Sequence, residues 1–281
     1  MVQRRRLRAF TFIAFALNKN RIELSMKKRV DEVLVSRGLF SSRSRARDEV
    51  LFGRIKVNGK MVSKAGKLIE ENSKIEVDGK TYVSRGAYKL LKGLDEFKID
   101  LNGKVCCDLG SSTGGFTQVM IERGAIRVYA IDVGLGELKI KDPRIVLMEK
   151  TNARFLKRRD FELPIDFVSC DLSFISLKHI LPVIKEILGE DGISVCLVKP
   201  QFETGARVKN GIVRSKNTHV EILKEMLNFA QSEGFKVGGL TFSPIKGGSG
   251  NIEFLMELNK NFTGSFDVEN VVNSAWIELE G

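Results

Sequence analysis

The chain has 281 residues, of which 43% are hydrophobic, and it carries a net charge of +11. This length allows one large globular domain and one small domain, each with an apolar core. Four cysteines without a Cys-x-x-Cys spacing, and only two histidines, argue against a disulfide framework or a metal site and favour free thiols in a reducing, cytoplasmic setting. No apolar run reaches the roughly 20 residues that span a bilayer, so we expect no stable membrane insertion.

The positive charge is confined to the first part of the chain. Residues 1–26 have a net charge of +5, residues 27–80 have +6, and residues 81–281 are neutral. Such an excess is typical of a module that binds a polyanion and is attached to a neutral catalytic body. The alternative is a basic surface that is merely solvated.

Residues 1–26 form an extension ahead of the first predicted element. Four arginines precede the apolar stretch 9–17, as in a secretory signal, and Ala14-Phe15-Ala16 is a weak cleavage match. Cleavage there would leave a very short apolar region. We therefore favour the hypothesis that translation starts at Met26 and that residues 1–25 are untranslated or disordered, because the first folded module begins directly afterwards.

Residues 27–80 are predicted to form a small unit of helices followed by strands. Helical spacing over 29–35 ends at Gly38, and a second helix runs from a serine cap at position 41 or 42 to position 51. Alternation over 53–60 predicts a strand that ends in an Asn-Gly turn. Another strand at 75–77 precedes an Asp-Gly turn.

This segment resembles the S-four RNA-binding domain, the αL module of ribosomal proteins and pseudouridine synthases. The resemblance rests on an arginine-rich second helix followed by a Gly-x-Ile-x-Val-Asn-Gly strand, and it implies a small α+β domain that binds RNA. A compact basic face suits helical RNA, which proteins recognise through shape, phosphates and 2′-hydroxyls. The alternative is an ordinary exposed helix with scattered arginines. We predict that Arg43, Arg45 and Arg47 line one side of the second helix. The full set of predicted RNA contacts is Arg29, Arg43, Arg45, Arg47, Lys56, Lys60 and, beyond this domain, Arg85.

The remaining chain is predicted to be a connection over 81–88, an α/β domain over 89–260 and a helical tail over 261–281 that serves packing. Alternating strands and helices from Lys104 onward indicate a sheet rich in parallel strands. The last two strands are expected to form an antiparallel hairpin. The predicted strands lie near 104–109, 126–131, 145–148, 166–171, 193–198, 237–243 and 252–258, and the predicted helices near 86–94, 114–123, 175–188 and 216–233.

A glycine-rich loop, Asp108 to Gly115, follows the first of these strands and opens a helix. Its glycines let the backbone approach a ligand, but Ser112 replaces the middle glycine of a dinucleotide fingerprint. Asp132 ends the next strand, where an acid can hold ribose hydroxyls. A carboxylate at each strand end fits S-adenosylmethionine better than a pyrophosphate, since its ammonium would face Asp108. A tight structural turn is the alternative. The predicted cofactor contacts are Asp108, Gly110, Ser112, Gly114, Gly115, Asp132, Val133, Asn152 and Asp171.

Four charged residues are the candidate catalytic group: Lys89, Asp171, Lys199 and Glu253. A free lysine has a pKa of about 10.4, too high for an efficient base at neutral pH. Two lysines in one cleft would depress the pKa of one of them through repulsion and burial, while the carboxylates would oppose that shift. We predict that Lys199 is the general base, oriented by Asp171, and that Lys89 and Glu253 position a ribose.

Three motifs, 84–90, 171–177 and 197–203, resemble the TlyA family, whose members are often labelled hemolysin A and are similar to FtsJ-type ribose methyltransferases. The match covers about residues 28–258; the basic, apolar N-terminus departs from the family pattern. The resemblance implies a Rossmann-like class I methyltransferase fold of the α/β class, with a mainly parallel seven-stranded sheet and helices on both faces. It also implies 2′-O-methylation of cytidine in ribosomal RNA, with ribosomal subunits as partners, and a Lys-Asp-Lys-Glu tetrad.

Two other functions compete with this interpretation. A membrane-active hemolysin fits the family label, but it would not need an enzyme pocket. A non-catalytic RNA-binding factor for ribosome assembly fits the basic module, but it would not need two lysines beside a cofactor. The modified nucleotide, the ribosomal subunit and the oligomeric state stay open at this point.

Overall fold

The computed structural model describes residues 27–79, 82–204 and 211–280. The predicted extension, with its proposed start at Met26, lies outside these residues. The described residues divide into two compact units, with the boundary between positions 81 and 82.

The first unit consists of short helices and strands around one apolar cluster. Strand β2 is the middle strand of a small antiparallel sheet with β3 and β5, and β1 pairs with β4. The cluster includes Val33, Leu34, Val50 and Ile55. The elements are β1 Lys27–Arg29, α1 Val30–Ser36, α2 Arg43–Leu51, β2 Ile55–Val57, β3 Lys60–Met61, β4 Leu68–Glu70 and β5 Ile75–Val77.

Two sequence signals in this unit are confirmed. Ser42 caps α2, and its hydroxyl accepts a hydrogen bond from the backbone N–H of Arg45 at 3.2 Å. Asn58 and Gly59 both have positive φ, at 51° and 75°, and form the turn between β2 and β3. Asparagine and glycine tolerate this left-handed conformation, so the turn is encoded locally.

Within the described residues, the second unit holds one sheet of seven strands in the order β11-β12-β10-β9-β6-β7-β8. The five strands from β10 to β8 are parallel, whereas β12 runs antiparallel to both β10 and β11. This arrangement confirms the predicted fold class and the predicted hairpin. The strands are β6 Val105–Leu109, β7 Arg127–Ile131, β8 Ile145–Met148, β9 Ile165–Cys170, β10 Leu188–Val198, β11 Lys236–Phe242 and β12 Phe254–Asn259, and the helices are α3 Gly86–Glu96, α4 Gly115–Glu122, α5 Leu181–Ile187, α6 Pro200–Glu203, α7 Lys216–Ser232 and α8 Val268–Glu280.

Helices cover both faces of this sheet because its strands are apolar on both sides. Cys106, Phe167 and Leu255 belong to the cluster that contains the buried residues of α3 and α4. Cys107 and Met256, their neighbours along the strands, belong to the cluster of α5, α7 and α8. Alternate side chains of a strand point to opposite faces, so a strand buried on both sides reads as a continuous apolar run.

The helix predicted over 175–188 is shorter than expected. A 3₁₀ turn spans Leu177–His179, and α5 begins only at Leu181. Pro182 has no N–H to donate to the residue one turn earlier, so a continuous α-helix through this segment would lose a hydrogen bond. The break separates the segment after β9 from α5, which leaves that segment free to line a cavity.

The C-terminal helix α8 packs through Val268, Val272 and Ala275. Trp276 of this helix donates a hydrogen bond to Nδ1 of the buried His219 on α7, at 3.2 Å. Burial lowers the pKa of His219 to about 4, so its ring is neutral at pH 7 and accepts this bond. No helix in the described residues is both long and apolar enough to cross a bilayer.

A buried carboxyl group on β12 makes the stability of this unit depend on pH. Glu257 is 3% exposed, and burial raises its pKa from 4.5 to about 7. Between these values the folded protein holds a proton that the unfolded chain has released, so stability falls as pH rises from about 4.5 to about 7. We expect Glu257→Gln to raise the free energy of unfolding at pH 8 by about 1–3 kcal/mol, with no gain at pH 5.

Urea denaturation of the wild type and the variant at both pH values measures this effect. Glu162→Gln, at an exposed position, is the matched control. Equal pH profiles for the two variants would contradict the assignment to Glu257.

Candidate active site

The glycine loop between β6 and α4 packs closely against its neighbours. Gly110 has φ +90°, and a Cβ atom there would lie 2.7 Å from the carbonyl oxygen of Asp171. A Cβ atom at Gly115 would lie 2.1 Å from Oγ of Ser84. Any side chain at either position would push the loop away from the segments that carry Asp171 and α3. The glycines are therefore required for the shape of the site itself.

The structure corrects the predicted role of Asp108. This residue is completely buried behind the loop and lines no cavity found in the described residues. Its two carboxylate oxygens accept hydrogen bonds from Thr117 at 2.6 Å and from Ser169 at 2.9 Å. Burial raises the pKa of Asp108 to about 6, although these hydroxyls counteract it. Asp108 therefore ties β6 to α4 and β9 and does not face a ligand's ammonium group.

Asp132, at the end of β7, supports the loop and lines the main cavity. Its carboxylate accepts hydrogen bonds from the backbone N–H of Ser112 at 2.7 Å and of Gly134 at 2.8 Å. Ser112 also donates through its hydroxyl to Glu137, at 3.1 Å. Each oxygen of Asp132 retains a lone pair, so the residue can accept further hydrogen bonds from a bound ligand.

Two adjoining cavities lie at the carboxyl ends of the parallel strands, of about 920 and 160 Å³. Gly110, Ser112 and Asp171 line both of them. Of the other predicted cofactor contacts, Asp132, Val133 and Asn152 line the larger cavity and Gly115 the smaller one, whereas Gly114 lines neither. Ligands of open parallel sheets bind at this edge.

The lining of these cavities favours a cationic ligand over a phosphate. Three carboxylates, Asp132, Glu137 and Asp171, border the larger cavity together with one guanidinium, that of Arg154. On the wall of the smaller cavity, Oγ of Ser111 is buried and has no hydrogen-bond partner in the described residues. A buried polar atom without a partner is destabilising unless a ligand or water satisfies it.

The four predicted catalytic residues come together at the edge of these cavities: Lys89 lines the smaller cavity and Asp171 lines both, whereas Lys199 and Glu253 line neither. Nζ of Lys89 lies 2.6 Å from Oε2 of Glu253 and 3.8 Å from Oδ2 of Asp171. Nζ of Lys199 lies 2.7 Å from Oδ1 of Asp171. Asp171 thus bridges the two amines. The side chains come from four separate places in the fold: α3, the end of β9, the end of β10 and the start of β12.

The charges in this cluster hold Lys89 in its protonated form. Burial lowers the pKa of Lys89, but the charges of Asp171 and Glu253 outweigh it and raise the pKa above its ordinary value. Burial likewise raises the pKa of Asp171, and the two lysines more than reverse this. Two carboxylates within ion-pair distance of the amine of Lys89 therefore outweigh the depression of its pKa by burial. Lys89 fits a positioning role and not that of a base.

The loop between β11 and β12 is shaped to place Glu253. A Cβ atom on Gly247 would lie 2.2 Å from Oε1 of this carboxylate. Asn251 is 1% exposed, accepts from the N–H of Val213 at 2.9 Å and donates to the carbonyl of Gly211 at 2.8 Å. These contacts fix the end of the loop next to Glu253 against a neighbouring segment.

An aromatic pair stands at the cavity, and the sequence analysis missed it as a functional feature. Phe174 is 91% exposed and has φ +62°, and its ring lies 5.3 Å from that of Phe202. Both residues line the larger cavity. A non-glycine residue at positive φ with an exposed apolar ring is a strained, unfavourable arrangement, so it marks a candidate binding surface.

Glu203 clamps the two segments that carry this pair. Its carboxylate accepts hydrogen bonds from the hydroxyl of Ser176 and from the N–H of Leu177, the latter at 2.8 Å. Glu203 belongs to α6, directly after Lys199, whereas Ser176 follows Asp171 by five residues. The clamp therefore fixes the segment after β9 relative to the segment after β10.

Several predicted RNA contacts of the first unit are held by intradomain carboxylates. Arg29 donates two hydrogen bonds to the buried Asp31, both at 2.9 Å. Arg43 lies 3.3 Å from the same carboxylate and 3.2 Å from Glu32. These contacts preset the direction of two guanidinium groups whose side chains are still 43% and 55% exposed.

The remaining predicted contacts are more scattered than expected. Arg43 and Arg47 lie one turn apart on α2, but Arg45 is about 200° around the helix from Arg43, so the three do not share one side. Lys56 is paired with Asp78 at 2.7 Å, and Lys60 is exposed. Arg85 belongs to the second unit, where it donates to the carbonyl of Lys246 at 3.3 Å and lines the smaller cavity.

Other residues at the site had weak sequence signals or none. Glu137 lies in an exposed turn, and Ser173 is a lone serine after a strand. The distinctive motifs at 171–177 and 197–203 contain Ser173, Phe174, Phe202 and Glu203, so the motifs were informative even though these roles were not assigned. Each role depends on a contact between segments that are distant in sequence.

The sheet order, the glycine loop and the cavity at the strand ends define a Rossmann-like class I methyltransferase domain, which follows the small first unit along the chain. The family model of the FtsJ-like methyltransferases matches residues 82–260, and that of the S4 domain matches residues 28–75. The chain therefore belongs to the FtsJ-like methyltransferase family.

Relatives cover most of the chain. The 16S/23S rRNA (cytidine-2'-O)-methyltransferase TlyA of Mycobacterium tuberculosis is 37% identical over 84% of this chain and 91% of its own length. Hemolysin A of Brachyspira hyodysenteriae is 42% identical over 81% of this chain and 98% of its own. A solved structure of a candidate hemolysin from Streptococcus thermophilus is 41% identical, with a TM-score of 0.69 over 91% of this chain and 98% of that one.

The contact between Gly247 and Glu253 predicts that alanine at two neighbouring glycine positions changes the free energy of unfolding to very different extents. Gly247→Ala should displace the carboxylate of Glu253 and leave the buried amine of Lys89 with a weaker partner. We expect the free energy of unfolding to fall by about 1–3 kcal/mol.

Gly248→Ala is the matched control, because a Cβ atom there meets nothing within 4 Å. Denaturant unfolding of both variants measures the effect. Equal stabilities would show that the carboxylate of Glu253 is not confined by the loop.

Proposed function

We propose that this protein is an S-adenosylmethionine-dependent methyltransferase that methylates the 2′-hydroxyl of a ribose, that of a cytidine, in ribosomal RNA. The observation that carries the proposal is the convergence of Lys89, Asp171, Lys199 and Glu253 beside the cavity at the strand ends. Methyl transfer to a hydroxyl requires a base for the proton and fixed charges that align the oxygen, and this cluster offers both.

The residues present fit S-adenosylmethionine, which supplies an electrophilic methyl group when bound. Asp132 and Asn152 of the larger cavity are suited to ribose and adenine, and the carboxylates there suit a cationic ligand. The unsatisfied hydroxyl of Ser111 offers one further hydrogen bond. Gly110 and Gly115 let the loop pack against the segments that carry Asp171 and Ser84, which shapes the wall of both cavities.

In this proposal the chain's own groups divide the remaining tasks. Lys199 accepts the proton of the ribose hydroxyl, and Asp171 holds its amine. Lys89, kept protonated by Glu253 and Asp171, stabilises negative charge that develops on the ribose oxygen. Phe174 and Phe202 provide an apolar face on which a nucleobase removed from its stack can lie.

The RNA substrate is supported by the first unit and by the relatives. The S4 match spans the segment with the net positive charge, and the Mycobacterium relative is named for 16S and 23S rRNA. We therefore propose ribosomal subunits as the partners, which would place the enzyme in the cytoplasm.

The two alternative functions have less support. The hemolysin interpretation rests on the names of relatives, and it gives no role to the buried charge cluster. A non-catalytic assembly factor would need neither the cluster nor the cavity. Leakage of dye from liposomes, measured beside methylation, separates the hemolysin from the enzyme.

The direct test is the mapping of 2′-O-methyl groups on ribosomal RNA after subunits are incubated with the protein and S-adenosylmethionine. A new mark on a cytidine is expected. Lys199→Ala should reduce kcat by about 10²- to 10⁴-fold, because the base is lost, while calorimetry finds cofactor affinity within about twofold.

Lys185→Ala, which removes an exposed lysine, is the matched control and should retain full activity. Turnover retained by Lys199→Ala would rule out Lys199 as the base. A mark on a different atom, or none with the wild type, would reject the proposed reaction.

The S4 unit leads to a prediction about how RNA affinity depends on salt concentration. The double variant Arg43→Gln with Arg47→Gln, two exposed residues one turn apart on α2, should weaken RNA binding and reduce the slope of log K against log salt by about 1–2, because fewer phosphates are neutralised. Filter binding over a series of salt concentrations measures the slope. Arg123→Gln with Lys236→Gln makes the same charge change on the methyltransferase unit, and an equal slope change in both double variants would contradict a specific role for α2.

A further inference from the structure

The amine of Lys199 has a second contact besides Asp171. Nζ donates to Oγ of Ser173 at 2.9 Å, in addition to its 2.7 Å contact with Asp171. Both acceptors come from one short segment directly after β9. Ser173 lines the larger cavity together with Asp171.

Two partners from one segment together hold and orient the amine. A neutral lysine amine has two N–H groups and one lone pair in tetrahedral directions. The N–H that bonds to Ser173 fixes one of these directions, whereas the contact with Asp171 is an ion pair whose Oδ1 makes no hydrogen bond in the described residues, so it holds the amine in place without orienting it. With Asp171 alone as a partner, the amine could rotate, and the lone pair would have no fixed direction.

The segment that presents Ser173 is anchored at both ends. The N–H of Asp171 donates to the carbonyl of Leu109 on β6 at 3.0 Å. At the other end, the carboxylate of Glu203 holds Ser176 and Leu177. Between these anchors the backbone turns through Phe174 at positive φ. The position of the serine hydroxyl is therefore fixed by the fold.

We propose that Ser173 is a positioning residue for the base. Its hydroxyl oxygen accepts one N–H of Lys199, which leaves the lone pair of the amine as the single site for the proton of the ribose hydroxyl. That proton ends on the amine, which becomes an ammonium group. This inference rests on the proposed function, in which Lys199 is the base.

The kinetic test compares three variants on ribosomal subunits. Ser173→Ala should lower kcat by about tenfold or more, with KM for the subunits and the affinity for S-adenosylmethionine within about twofold. Ser173→Thr, which keeps the hydroxyl, should restore kcat to within about threefold of the wild type. Ser194→Ala is the control, because it removes a hydroxyl, buried on β10, that lines neither cavity.

A second measurement does not depend on activity. The rate at which Lys199 is acetylated by acetic anhydride, followed by mass spectrometry of the peptide, should rise about threefold or more in Ser173→Ala, because the amine loses a hydrogen-bond restraint. Ser173→Thr and Ser194→Ala should match the wild type.

The outcomes separate the two proposals. An active wild type whose Ser173→Ala variant keeps its kcat overturns the role of Ser173 and leaves the proposed function intact. A wild type that methylates no ribose overturns the proposed function. In that case the acetylation rate alone decides whether Ser173 restrains the amine, and an unchanged rate overturns that as well.

Discussion

The site depends on the mutual neutralisation of two amines and two carboxylates at the end of a sheet. Lys89, Lys199 and Glu253 are each less than 10% exposed, and a buried charge without a partner is strongly destabilising. Each amine lies within 2.7 Å of a carboxylate oxygen, and Asp171 serves both amines. Since the four residues come from four different parts of the fold, the cluster can exist only when α3, β9, β10 and β12 are all in place. The catalytic arrangement therefore forms only when the domain folds.

The cavity beside this cluster follows from the sheet. In a parallel sheet the carboxyl ends of neighbouring strands lie at one edge, so the segments after β6, β7, β9 and β10 meet there. The glycine loop brings both backbone and short serine side chains to this edge. The acids at the ends of β7 and β9 give it a negative lining, which suits a cationic ligand. The hydrogen bonds of Glu203 and of Asn251 hold the segments around the cavity in fixed positions.

The net positive charge of the chain lies in its N-terminal part and not in the methyltransferase unit. The methyltransferase unit is balanced, and the excess of basic residues belongs to the N-terminal part. Part of that excess serves the fold of the small unit, because Asp31 and Asp78 pair with arginine and lysine side chains there. An arginine held by a buried carboxylate loses less side-chain entropy when it binds a phosphate, since its direction is already set. Composition gives the sign of the surface charge, and these ion pairs determine which arginine and lysine side chains are already oriented before RNA binds.

Local sequence patterns predicted the secondary-structure elements and the candidate catalytic residues. Apolar runs, glycine and serine signals and turn pairs placed each strand of the large sheet to within a few residues, and distinctive local contexts identified Lys89, Asp171, Lys199 and Glu253. Such signals are local, so they need no tertiary information. Which groups face the cavity followed from the fold alone, in which Asp108 is buried, Phe174 is exposed, Ser173 contacts the amine of Lys199 and two carboxylates keep Lys89 protonated. These properties depend on distances between residues that are far apart in sequence and on the solvent that packing excludes, and neither is encoded in a local pattern.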